Sequence, residues 1–147
     1  MKVRIGRYPL GMREVEVYAR DGNGAEFHAA RPSDGMAEIV IGLDRERWWE
    51  VFNYLLHEAA ELVFADLAVR YRPTPDYANA ADGFTFVFDH SKFSEAMARV
   101  ACFLTAATPH LLQAFEKYRN EQKREASTRR TSKRSTTPKK RSTEGKA

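Results

Sequence analysis

A chain of 147 residues, 43% hydrophobic and with 2 Trp, 6 Tyr and 9 Phe, has the material for one domain with a modest core. Its single cysteine, Cys102, excludes an internal disulfide and any multi-cysteine zinc cluster, and no apolar run approaches the roughly 18 residues that suggest a membrane span. The formal charge of +4 hides an asymmetry: residues 1–118 hold 13 Lys/Arg against 17 Asp/Glu, whereas residues 119–147 hold 11 against 3.

The opening "MKVRIGRYPLG" lacks the apolar core of a signal peptide, so a cytoplasmic location is the default expectation. "KVRIGRY" and "EVEVYAR" alternate as strands do, and "DGNGAE" marks a turn after the second. A short strand near "EFHAA" is expected to pair back across that turn. "RPSDG" breaks the chain before "MAEIVIGL", a β-branched run of strand length. Asp44 then reads as the N-cap of a long helix running from Arg45 to Tyr71, stopping before Pro73. "RPTPDYANAADG" reads as a loop and "FTFVF" (84–88) as a strand. A helix restarts at "DHSKFSEAMARVACFLTAA", capped by Asp89 or Ser91, with Cys102 expected as a small buried thiol. Thr108-Pro109 either kinks this helix or opens another, giving a C-terminal helical pair.

The expected fold class is therefore α+β: a small, mostly antiparallel sheet packed against one long helix and a C-terminal helical pair. The expected domain spans 1–118. Residues 119–147 have low hydrophobicity, high positive charge and no aromatic residue, and are expected to form a disordered basic tail.

On the long helix, Glu46, Glu50, Asn53, His57 and Glu61 fall within roughly 40° of one line, with Tyr54 and Glu58 bordering it. Most of the remaining circumference is apolar, and the adjacent Trp48 and Trp49 point to different sectors, each expected to pack on a separate element. Positions i and i+4 share a helix face, so His57 and Glu61 are able to reach one metal ion. A catalytic zinc takes three protein ligands and an open position. His90, at the strand-to-helix junction, is the leading third ligand. Asp89 and Glu95 are alternatives, and His28 and His110 are further candidates. Glu58 would activate a metal-bound water as general base, with Tyr54 beside it as an oxyanion donor or an ordinary amphipathic tyrosine.

The stretch "LLHEAAELV" resembles the active-site helix of zincin metallopeptidases, whose motif is H-E-x-x-H. The order of strand, motif helix and later helix is also similar to the minimal zincin core. The resemblance implies a zinc-dependent peptidase with His57 as ligand and Glu58 as catalytic base. Glu61 stands where the family has its second histidine, and a carboxylate there changes the charge of the site. The helix is similar, too, to that of small phage-encoded accessory proteins, and the layout of domain and basic tail resembles zincins that act on DNA-bound proteins. The alternative is a non-catalytic binding protein with a degenerate motif helix that uses its tail to hold nucleic acid, or a structural protein whose tail contacts a packaged genome.

The basic residues of the tail cluster as Arg129-Arg130, Lys133-Arg134 and Lys139-Lys140-Arg141. Such clusters attract the phosphates of DNA or RNA without reading sequence, and the lack of interleaved aromatics argues against base stacking. A flexible solubilising tail is the plainer reading of the same residues.

Overall fold

The computed structural model describes residues 2–31, 34–71 and 85–135. Strands β1 (Lys2–Leu10) and β2 (Arg13–Arg20) form an antiparallel hairpin with a bulge between Arg4 and Gly6. β3 (Ala25–His28) runs back after the Gly-rich turn, but it does not pair with β2. Instead β4 (Ala37–Gly42) inserts between them, parallel to β2 and antiparallel to β3, giving the order β1-β2-β4-β3. Two of the three pairings are antiparallel, so the sheet is mixed.

β4 takes the centre because all six of its residues are buried, apolar on both faces apart from Glu38. Its last residue explains how the insertion is accommodated. The Gly42 N–H donates to the Gly24 carbonyl at 2.8 Å. A Cβ on Gly42 would lie 2.4 Å from the Gly22 oxygen and 2.8 Å from the Gly24 oxygen. The β2–β3 turn is folded directly over the strand end, an approach that glycine alone permits.

Helix α1 (Trp48–Asp66) begins three residues later than the sequence suggests. Arg47, not Asp44, is its N-cap residue, and the Arg47 N–H donates to the Glu50 carboxylate at 3.0 Å. The helix ends early as well. Ala68 adopts φ 51°, the left-handed conformation that stops a helix, and the Val69 N–H donates back to the Phe64 carbonyl at 3.1 Å. The chain then forms β5 (Arg70–Tyr71), which pairs with β6 (Thr85–Phe86). Of the expected 84–88 strand, Thr85 and Phe86 are therefore in a ladder, Val87 and Phe88 are not, and Phe84 lies outside the described residues. Phe64 packs edge-on against Phe86 and Phe88 beside it.

Helix α2 runs from His90 to Ser135 without a break. Asp89 is its cap, its carboxylate accepting the Lys92 N–H at 2.7 Å. The expected helical pair is thus one helix that continues through Pro109, although that residue has no N–H for the Thr105 carbonyl. Ala96, Val100, Phe103, Ala107, Leu111 and Phe115 form an unbroken buried stripe on both sides of the proline. Burial of that stripe outweighs one missing hydrogen bond. The last helix is expected to fray into the tail near Glu125, and α2 instead continues to Ser135.

The core is built from the inner sheet face (Leu10, Val15, Val17, Ile39, Ile41), from Val51, Leu55, Ala59 and Leu62 of α1, and from the α2 stripe. Cys102 lies off that stripe and is exposed, contrary to expectation. The chain divides after Phe115 into two units. Every buried apolar side chain among the described residues belongs to the first. The described part of the second is α2 from Glu116 to Ser135.

Candidate functional site

On α1 the one-turn spacing does bring His57 and Glu61 together. His57 Nε2 lies 3.5 Å from Glu61 Oε1, with the imidazole 64% exposed and the carboxylate 21% exposed. Glu58 is placed differently from expectation. It is 8% exposed, in the same buried sector as Leu55 and Leu62, rather than bordering the open strip. The wheel also misassigned Trp49, which is 59% exposed, while Trp48 lies tilted against Phe52 and Phe115. The buried arc of α1 is narrower than its composition suggests: Val51, Leu55, Glu58, Ala59, Leu62 and Val63 are its buried residues.

None of the remaining candidate ligands completes a three-donor group with this pair among the described residues. His90 is the exposed first residue of α2, and Asp89 caps that helix. Glu95 pairs with Arg99 one turn on. His28 Nε2 lies 3.9 Å from Glu26 on β3. His110 Nδ1 is bonded to the buried Tyr8 hydroxyl at 2.9 Å, and burial pushes that phenol's pKa up. Tyr54 lies with its ring 4.9 Å from the Arg45 guanidinium. Among the described residues, no three His, Cys, Asp or Glu side chains are grouped to hold a metal ion. His57 and Glu61 are brought together; His90 is not brought to them.

Of the predicted phosphate-contacting residues, Arg129, Arg130, Lys133 and Arg134 fall within α2. Lys139, Lys140 and Arg141 lie outside the described residues. Helical geometry therefore imposes an order on bases that the sequence presents only as clusters. At ~100° per residue, Arg119, Lys123, Arg130, Lys133 and Arg134 share an arc of about 100°. Glu121 and Glu125, both exposed, occupy positions on the opposite side.

The outer sheet face carries a charged network absent from the sequence reading. In register across β2 and β4, Glu16 stands beside Glu38, two carboxylates that are 7% and 6% exposed. Arg31 bridges them, its Nη1 2.9 Å from Glu16 and 3.3 Å from Glu38. Tyr18 donates to Glu16 at 2.7 Å, and Lys2 and Arg4 complete the neutralisation at 3.0 and 2.9 Å. The Tyr18 hydrogen bond above all, then those from Arg31 and the charge of Arg4, hold the Glu16 carboxyl below its ordinary pKa. Alternation in β1 and β2 hints at a charged face. The parallel β2–β4 pairing that sets two glutamates side by side leaves no local signal.

No protein-family model, curated protein or solved structure matches the chain. No helix among the described residues is long and apolar enough to cross a membrane.

Proposed function

We propose that this is a nucleic-acid-binding protein that holds phosphates through the basic C-terminal part of α2, with the α+β unit as its folded body. The observation that carries the reading is that α2 continues to Ser135 through a stretch, residues 119–135, with 7 Lys/Arg against 2 Glu. Opposite-charge residues three or four apart on a helix partly satisfy each other. Lys117, Arg124 and Arg129 each have Glu121 or Glu125 at that spacing, whereas Lys123, Arg130, Lys133 and Arg134 have no acid there. Fluorescence anisotropy with labelled DNA or RNA tests the reading. Affinity is expected to fall steeply between 50 and 200 mM salt and to vanish when residues 119–147 are deleted. Retained binding by the shortened chain would move the interface into the α+β unit.

A second reading, a zinc-dependent hydrolase of the peptidase class, is favoured by one observation: the exposed His57–Glu61 pair at 3.5 Å. The pair supplies two donors where a catalytic zinc takes three, and Glu58, the general base in this reading, is buried. No reaction step is derived through such a site. Elemental analysis of protein purified without added metal decides it. Near-stoichiometric zinc that disappears in His57→Ala supports the hydrolase. Metal-free protein whose melting is insensitive to chelator rejects it.

A further inference from the structure

We infer that two copies of this chain share one zinc ion, each supplying His57 and Glu61, and that the shared ion closes a two-fold dimer across α1. The inference rests on the second reading above only in taking these two residues as donors. It names what completes the site, and it makes the ion structural rather than catalytic.

The first argument is the spacing of the donors. Zinc binds an imidazole nitrogen at about 2.0–2.1 Å and a carboxylate oxygen at about 2.0–2.2 Å, so two such ligands at a tetrahedral angle stand about 3.4 Å apart. His57 Nε2 and Glu61 Oε1 are 3.5 Å apart. One edge of a zinc tetrahedron is thus in place, on a helix that holds the one-turn spacing of the two side chains.

The second argument is the count. A structural zinc site is closed by four protein ligands. Among the described residues no third His, Cys, Asp or Glu is grouped with the pair, and the neighbouring Glu58 is buried. The His57 imidazole is 64% exposed, so the pair is open to a second molecule. A two-fold axis through the ion duplicates the edge and gives two imidazoles and two carboxylates. Opposite edges of a tetrahedron are perpendicular, so the two copies of α1 cross steeply.

Charge is the third argument, and it makes association depend on the ion. Glu50 lies on the same side of α1 as His57 and Glu61, two turns before the histidine, and the helix has no Lys or Arg along its length. Two such faces repel each other. A divalent cation between two Glu61 carboxylates cancels their charge. Asn53 and Ala60 flank His57 on the exposed arc, and their short side chains leave room for a crossing helix.

Sedimentation velocity of the full chain, stripped of metal and then titrated with zinc, tests the inference. The expected result is a monomer that becomes a dimer, with an end point at half an equivalent of zinc per chain and reversal by chelator. His57→Ala and Glu61→Gln are expected to stay monomeric over the same titration, with far-UV circular dichroism confirming that both remain folded. One zinc per chain on a monomer, lost in His57→Ala, overturns the shared site and leaves the hydrolase reading standing. Absence of zinc binding overturns both. A dimer that forms without zinc, or one that survives both substitutions, overturns the bridge.

Discussion

Arg31 and Gly42 show how much of this fold depends on single side chains, or on the lack of one. Gly42→Ala would drive a methyl group into the backbone of Gly22 and Gly24, which has no flexible end to yield. A loss of about 1–3 kcal/mol is expected in urea unfolding, the range for overpacked sites. Arg31 acts through hydrogen bonds as well as charge. The Tyr18 hydroxyl first and then Arg31 hold Glu16 below its ordinary 4.5, and the Met36 N–H first and then Arg31 hold Asp34 below its ordinary 3.8. Their contribution to stability is therefore fully present above those values and is lost as pH falls through the lower folded-state values. Asp66 has the opposite sign. Burial raises its pKa, in spite of Arg13 at 2.6 Å, so its contribution is present at low pH and fades as pH rises through the raised value. Arg31→Met should move the Glu16 titration upward, measured by carboxyl-carbon NMR. It should also make the fall in melting temperature between pH 6 and 3 shallower. An unmoved Glu16 midpoint would show that Tyr18 and Arg4 suffice.

Each element was legible to the degree that its signal was local. Residue type and position narrow the α2 cap to Asp89 or Ser91, and the structure selects Asp89. Asp89→Ala should cost about 1 kcal/mol in chemical denaturation, and Ser91→Ala less than about 0.5. The i, i+4 spacing of His57 and Glu61 likewise gave their contact directly. Glu58 and Trp49 were misplaced because a helical wheel assigns a polar and an apolar side without knowing where neighbours stand. Here a glutamate is buried and a tryptophan exposed. The continuity of α2 through Pro109 was undecidable from propensity, since proline disfavours a helix interior and the buried stripe from Ala96 to Phe115 favours continuation. Phe103 sits at the centre of that stripe, edge-on to Tyr8 at 6.2 Å. Phe103→Ala should cost about 3–5 kcal/mol, followed by the fluorescence of Trp48 in urea.

For the molecule as a whole, the acidic balance of residues 1–118 and the basic balance of 119–147 separate folding from charge display. The buried core of the described residues ends at Phe115. A chain truncated after Tyr118 should therefore melt within a degree or two of the full protein, since surface changes shift stability by less than about 0.5 kcal/mol. A larger drop would place stabilising contacts beyond the core.

Composition and periodicity alone sufficed for the α+β class, the strand-rich N-terminal part, the motif helix, a cap at Asp89 or Ser91 and the polarity of charge along the chain. Those properties are carried by neighbouring residues, through alternation, capping chemistry and simple counting. Three features awaited the tertiary fold: the insertion of β4 between β2 and β3, the Glu16–Arg31–Glu38 bridge that follows from it, and the alignment of scattered bases on one side of α2. The first two depend on pairing between strands distant in the chain. The third depends on α2 persisting to Ser135, because five bases share a face only where the backbone between them keeps its helical turn.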